Sequence, residues 1–305
     1  MRSVMTLFDL TTPEIEQVFD RAELLKRAYM NGTRDMRFGG RVMALLFEKP
    51  SLRTRVSFEA GFAHLGGTSL YLGSDVGWGH RESVADFARV LSQYVDVVVC
   101  RDKDHGRVEQ LAQHASCPVI NGLTSRFHPC QALSDLFTMK EHFKQLQGLR
   151  LTYVGDANNV ARSLAIAAAR LGVCFTIASP ARYQFDTEFA RRMKKTFPDF
   201  ELRVVTDPAE AVRGADAVYT DVWTSMGQEQ EQQERAAVLA PFQVNADLMA
   251  AASKDAVFMH CLPAHRGEEV TDEAIDSPQS IVVQQAANRL HLQKGLVAWL
   301  LSAVA

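Results

Sequence analysis

Apolar residues along this chain fall into short unbroken runs, separated by longer stretches in which they recur every three or four positions. Val42 to Phe47, Asp96 to Cys100, Leu151 to Val154, Val173 to Ala178, Leu202 to Val205, Ala217 to Thr220, Val257 to Cys261 and Ile281 to Val283 have strand length. They lack a polar–apolar alternation, which predicts strands buried on both faces, as in parallel sheets. Between them, Ile15, Val18, Phe19, Ala22 and Leu25 repeat at helical spacing after Thr12-Pro13 and stop at Asn31-Gly32, a cap, an N-terminal proline and a C-terminal glycine in the expected order. Further helices are predicted from about Leu52 to Leu65, Ser83 to Tyr94, Pro129 to Leu146, Val160 to Leu171 and Gln285 to Ala303. The alternation predicts an α/β protein of two domains, each a mostly parallel sheet covered by helices on both faces. The expected domains are residues 1–145 and 146–284, with the helix of 285–305 free to pack back on the first.

Composition narrows the functional classes. The chain has 305 residues, 47% of them hydrophobic and 23% charged, with a net charge of −3, enough for two packed cores. It carries no basic excess that would mark a nucleic-acid or anionic-membrane partner. The five cysteines (100, 117, 130, 174 and 261) are odd in number, scattered, and free of CxxC spacing. That argues against a disulfide framework and fits a reducing cytoplasm. The N-terminal residues contain no apolar core of signal-peptide length, and no apolar run approaches a membrane span. The stretch Gln228 to Glu234 reads as a solvated loop or helix start.

The chemically loaded residues sit where strands end, the place where open α/β sheets bind ligands: Ser51 to Arg55, Arg101, Asp156 to Asn159, Asp221 to Gly227 and Cys261 to Arg266. In Phe47-Glu-Lys-Pro-Ser-Leu-Arg-Thr-Arg55, Pro50 stops a strand and Ser51 caps a helix. Free N–H groups and the helix dipole at such a terminus favour an anion, and Ser51, Thr54 and Arg53 add donors suited to a phosphate. Spacing alone is equally compatible with a capped helix whose arginines are merely solvated. Met259-His-Cys-Leu-Pro-Ala-His-Arg-Gly267 places two histidines, a cysteine and an arginine together. A zinc site would require about four ligands in a workable geometry, and adjacent His260 and Cys261 would point to opposite faces of a strand. No metal and no cofactor is expected.

The motif Ser51-Leu-Arg-Thr-Arg55 resembles the carbamoyl-phosphate motif of the aspartate and ornithine carbamoyltransferase family. His128-Pro-Cys-Gln131 is similar to that family's His-Pro-x-Gln, and Arg101 follows a strand as the family's arginine does. Asp221-Val-Trp-Thr-Ser-Met-Gly227 and His260-Cys-Leu-Pro263 resemble motifs of the ornithine branch. The matches run in family order over about residues 5 to 300. The resemblance implies a homotrimer with active sites at subunit interfaces, acting on carbamoyl phosphate and L-ornithine, with no nucleic acid or membrane partner. It makes residues 1–145 the carbamoyl-phosphate-binding domain and 146–284 the ornithine-binding domain. It assigns Ser51, Leu52, Arg53, Thr54, Arg101, His128, Gln131, Cys261, Leu262 and Arg289 to carbamoyl phosphate, and Asn159, Asp221, Ser225 and Met226 to ornithine. Thr54, Arg101, His128 and Cys261 would be catalytic.

Asn159 is preferred to Asn158 for the substrate contact. The loop Gly77 to Ser83 resembles one that reaches carbamoyl phosphate, but Gly77 stands where many ornithine enzymes have Gln, so that contact is not carried over; His80 or Arg81 is a substitute. Arg162 stands where a His is often found and Phe87 where Thr is usual. Transfer to N-acetylornithine or another amine is the alternative activity, and a non-catalytic carbamoyl-phosphate-binding relative the alternative class.

Overall fold

The computed structural model describes residues 2–224 and 231–302. The strands are β1 (Val42–Phe47), β2 (Thr68–Leu72), β3 (Val97–Arg101), β4 (Val119–Leu123), β5 (Arg150–Val154), β6 (Cys174–Ala178), β7 (Leu202–Val205), β8 (Ala217–Thr220) and β9 (Val257–His260). They form two parallel sheets, a four-stranded one in the order β2-β1-β3-β4 and a five-stranded one in the order β7-β6-β5-β8-β9. The α/β expectation holds.

The helices that matter for the site are α1 (Thr12–Met30), α2 (Leu52–Ala63), α3 (Val84–Leu91), α4 (His105–His114), α5 (Pro129–Phe143) and α6 (Asn159–Leu171). After these come α7 (Thr187–Thr196), α8 (Pro208–Val212), α9 (Gln232–Leu239), α10 (Ala246–Ala250), α11 (Asp272–Ile275) and α12 (Val282–Ser302). In α1 the cap is Thr11, one residue before the predicted one, in a capping box with Glu14. The five residues expected on its inner face are all buried.

The chain divides into two compact units. The first runs up to Phe137 and takes in the chain from Ala287 onward; the second is Thr138–Ala286. The dividing points fall within α5 and within α12. In the first unit, Ala44, Leu46, Val98 and Val119 of the sheet pack with Ala88, Val108 and Leu111 of the covering helices. In the second, Val154, Ala178, Val218 and Phe258 pack with Phe242, Leu248 and Met249. Each valine, leucine, methionine or phenylalanine among them contributes about 1.5–3 kcal/mol by leaving water.

From Ala287 onward, α12 belongs to the first unit, in close contact with α1. A Cβ on Gly295 would lie 2.7 Å from the Val18 carbonyl oxygen, so glycine is what lets the two backbones touch. Trp299 Nε1 donates to Gln17 at 2.9 Å and Lys26 Nζ to Asn288 at 2.7 Å.

Ile281 to Val283 is not a strand. Phe258 makes one isolated bridge with Ser280, Ile281 N–H donates to the Phe258 carbonyl, and the chain then turns into α12 with Val283 exposed. Three β-branched residues produced a strand pattern over what is one bridge and a first helical turn. Among the described residues, no helix is long and apolar enough to cross a membrane.

Candidate active site

Both sheets reverse strand order at a switch point, and the polar residues gather there. In the first unit the switch lies between β1 and β3. Past β1, Ser51 takes an extended conformation and its Oγ accepts the Thr54 N–H at 3.4 Å, opening α2. Thr54 is fully buried, and its Oγ1 accepts from an Arg289 terminal nitrogen at 2.9 Å. Leu52 is exposed, so its backbone rather than its side chain is what the helix terminus offers. Arg55 turns away, pairing with Glu59 at 3.2 Å over the Tyr71 ring.

Arg101 ends β3 beside an irregularity. The β3–β4 register steps from Cys100↔Asn121 to Arg101↔Leu123, passing over Gly122; such bulges re-aim side chains at functional sites. A Cβ at Gly122 would meet Val99 at 3.1 Å, the Cys100 carbonyl at 3.3 Å and Thr54 at 3.6 Å. Sequence reading passed over Gly122; its only trace was a glycine inside an apolar run. Burial, with help from the Arg289 and Arg53 charges, pulls the Arg101 guanidinium down to about 10. Among the described residues its Nε has no hydrogen-bond partner.

His128 precedes α5 and is buried; desolvation and the Arg289 and Arg101 charges hold its imidazole well below the usual range, so it is neutral at physiological pH. Gln131 is buried, its Nε2 donating to Asp135 at 2.8 Å and its Oε1 unpartnered among the described residues. These residues form a desolvated, electropositive cluster suited to a small anion whose carbonyl accepts hydrogen bonds.

In the second unit the switch lies between β5 and β8. Asn158 caps α6: its Oδ1 accepts from Val160 at 2.9 Å and Ala161 at 3.1 Å, and its Nδ2 donates to Asp221 Oδ2 at 2.7 Å. Asn159, the expected substrate contact, is the first residue of α6 and half-buried. Asp221 lies just past β8; its Oδ1 accepts from Val222 N–H at 2.8 Å and from Cys261 Sγ at 3.0 Å.

A buried pair that sequence reading missed supports this corner. Arg235 of α9 pairs with Asp156 and donates through Nε to the Trp223 carbonyl at 2.6 Å. Burial raises the Asp156 carboxyl, opposed by Arg235 and reinforced by Asp221. Asp221, Asp156 and a thiol make this corner suited to an ammonium. Ser225 and Met226 lie outside the described residues.

Asp221, His260 and Cys261 have ligand-type atoms within 4.8 Å of one another. The expected opposite projection of His260 and Cys261 does not occur, because β9 ends at His260 and Cys261 has already left the ladder. Both His260 nitrogens are engaged, Nδ1 by the Leu262 N–H and Nε2 by Glu269. A second group, His265, Glu268 and Glu269, lies near the same segment.

Residues 2–141 match the family model described as the carbamoyl-P binding domain of aspartate/ornithine carbamoyltransferase, and residues 147–300 match its Asp/Orn binding domain. The chain belongs to the aspartate/ornithine carbamoyltransferase family. It is 50% identical over 303 residues to an ornithine carbamoyltransferase of Anoxybacillus flavithermus, spanning 98% of this chain and 96% of that one. It is likewise 50% identical over 300 residues to that of Bacillus subtilis, spanning 97% and 92%. The solved ornithine carbamoyltransferase of Pyrococcus furiosus superposes with a TM-score of 0.96 at 46% identity, over 100% of this chain and 98% of that one.

Three positions of this carbamoyltransferase chain that the sequence marks out as unusual, Gly77, Arg162 and Phe87, have definite surroundings. Gly77 has φ 71°, and a Cβ there would meet Arg81 Cδ at 2.1 Å. A glutamine would be strained in that conformation, and Arg81 lies across the space. Arg162 pairs with Asp186 at 2.7 Å over the Phe189 ring. Phe87 packs against Trp78, whose Nε1 donates to Asp102 at 2.6 Å and so ties the 77–83 loop to the residue after Arg101.

Proposed function

We propose that the protein is an ornithine carbamoyltransferase, converting carbamoyl phosphate and L-ornithine to L-citrulline and phosphate. The observation that carries this reading is the pairing of chemistries within one chain. An anion-seeking arginine cluster ends one sheet, and an Asp221–Cys261 pair suited to an ammonium ends the other. An aspartate-binding site would instead need further cations for a second carboxylate.

In the first unit, Ser51, the Leu52 N–H, Arg53, Thr54 and Arg101 hold the phosphate, with Arg289 beside Thr54. Thr54, Arg101 and neutral His128 donate to the carbonyl oxygen, where negative charge develops in the tetrahedral state. His128 suits this role because its low pKa keeps one ring nitrogen an acceptor and the other a donor. The Gln131 Oε1, buried without a partner, accepts from the carbamoyl NH₂, as does the Leu262 carbonyl.

In the second unit, Asn159 with the α6 terminus takes the amino acid's carboxylate. Asp221 takes its α-ammonium, with Ser225 and Met226 completing the grip. The side-chain amine, deprotonated with the aid of Asp221 and Cys261, attacks the carbonyl carbon. The C–N bond forms, the C–O bond to phosphate breaks, and phosphate leaves with the electron pair. No covalent enzyme intermediate is needed.

The Pyrococcus furiosus relative, 47% identical, is named anabolic, which supports the biosynthetic direction. Five free cysteines fit a cytoplasmic setting. A homotrimer is expected, and sedimentation velocity tests it. A colorimetric citrulline assay across ornithine, N-acetylornithine and putrescine tests the activity; turnover of another amine without turnover of ornithine refutes it.

A further inference from the structure

Among the described residues the Arg101 Nε has no hydrogen-bond partner, and the Arg289 and Arg53 charges lie near its guanidinium. Desolvation and repulsion both favour swinging that group out to water, so its aim has to be set from the main chain. The next residue, Asp102, has a fully buried side chain. Its Oδ2 accepts from Trp78 Nε1 at 2.6 Å and from Arg107 at 3.0 Å, and its Oδ1 accepts the Asp104 N–H at 2.8 Å. The donors come from three places: the 77–83 loop, the first turn of α4, and the turn that opens that helix. Trp78 is itself buried, in the core that holds Val98, Cys100 and Val108. A Cβ on Gly79 would fall 3.0 Å from Arg107 Cδ, so the loop backbone and the Arg107 side chain are in contact. The Asp102 N–H donates to the Leu123 carbonyl at 3.2 Å, and the Arg101 carbonyl accepts the Glu48 N–H at 2.9 Å. The anchored carboxylate thus sits just past the register step over Gly122. Burial raises the Asp102 carboxyl, opposed by the Asp104 N–H, the Trp78 indole and Arg107. Burying a carboxylate is costly, and an apolar replacement for a buried ion pair is often no less stable. Stability alone does not call for one here.

We propose that Asp102, pinned by Trp78, Arg107 and the Asp104 N–H, is a positioning residue for Arg101. Successive side chains of an extended chain point to opposite faces. Asp102 continues the face of Val98 and Cys100, toward Trp78 and Val108, while Arg101 leaves on the other. Fixing the Asp102 carboxylate fixes the main chain after the register step, and with it the direction in which the Arg101 side chain departs. Asp102 touches neither substrate; it acts through the backbone, as orienting partners do for ligating or catalytic groups elsewhere. This role rests on the part given to Arg101 by the ornithine carbamoyltransferase reading.

A double-mutant cycle through Arg101 separates positioning from simple packing. Asp102→Asn keeps the size of the side chain, but one of its oxygens becomes a donor and cannot serve the groups it held. Per folded enzyme, D102N should lose roughly 10- to 100-fold in kcat/KM for carbamoyl phosphate. Added to R101M, the same change should cost less than about twofold, because the side chain it aims is already gone. A loss of equal size in both backgrounds, or no loss in the wild-type background, overturns the proposal. Citrulline formation by the wild type, and its fall in R101M, test the underlying reading separately. Should D102N not fold, Trp78→Phe takes its place, keeping an aromatic ring against Phe87 and removing the N–H to Asp102. W78F should lose roughly 3- to 10-fold in kcat/KM, with no further loss in R101M. An unchanged kcat/KM in W78F, or the same loss in both backgrounds, overturns the proposal.

Discussion

The two units face opposite electrostatic problems at the ends of their sheets. In the first, burial depresses the Arg101 guanidinium, and the nearby Arg289 and Arg53 charges add to the effect. In the second, burial and the neighbouring Asp221 charge raise the Asp156 carboxyl, against the pull of the buried Arg235 guanidinium. A protein selected for stability alone would pair such charges internally. Keeping like charges together in desolvated corners raises the energy of the empty protein and reserves those corners for ligands of opposite sign. The first is under-compensated for an anion, and the second is already tied by the Asn158 and Cys261 donors.

The largest test removes the first charge. Arg101→Met should lower citrulline formation by roughly 10³-fold, as expected for losing a charged donor to a developing oxyanion. Its thermal midpoint should equal or exceed that of the wild type, because a desolvated, repelled guanidinium is gone. Inorganic phosphate should raise the midpoint of the wild type and not of this variant. A clearly lower midpoint would mean that Arg101 is structurally paired after all.

Asp221→Asn tests the second corner. It should cost roughly 100-fold in kcat/KM for ornithine, the scale for losing one partner of a buried charge pair. Carbamoyl-phosphate affinity, measured without ornithine, should not change; a parallel loss there would mean the corners are not chemically separate.

Gly122→Ala presses a Cβ against Val99, the Cys100 carbonyl and Thr54. A loss of about 1–3 kcal/mol of stability is expected, together with a fall in kcat. Stability lost without activity would show that the bulge does not aim Arg101.

The smallest effect is a difference in acid response. His64, His128 and His291, all in the first unit, are held below their ordinary value by burial and by neighbouring cations, His291 at about 3. Below about pH 6.5 the unfolded chain takes up protons that these buried rings resist, so the first unit loses stability as pH falls. Asp156 has the opposite sign: its raised carboxyl binds a proton more readily folded than unfolded, so acid favours the second unit there. Hydrogen exchange at pH 7 and pH 5 should show the first unit loosening first, and His291→Gln should reduce the difference. Uniform loosening would refute the contrast.

Much of this was legible in the sequence. Continuous apolar runs such as Val42–Phe47 and Ala217–Thr220 became interior strands, because a strand buried on both faces has no polar side to show. The edge strand β2 was not legible, since most of Thr68–Leu72 is partly or fully solvated. Nor was β4, where Asn121-Gly122 interrupts the apolar run. The loaded segments at strand ends were visible because cap, anion-binding and turn chemistry is local: Ser51 depends on Thr54 three residues away, and Asn158 on Val160 and Ala161.

What sequence alone determined was the alternation of strand and helix, the α/β class, and the identity of residues held near one another by a single turn. What only the tertiary structure decided were pairings across long stretches of chain: Thr54 with Arg289, Asp221 with Asn158 and Cys261, Asp156 with Arg235, and the register step that re-aims Arg101. Local chemistry is written in neighbouring residues. The electrostatics of a buried corner depends on which distant charges the fold brings together and how much water it removes, and neither can be read from spacing.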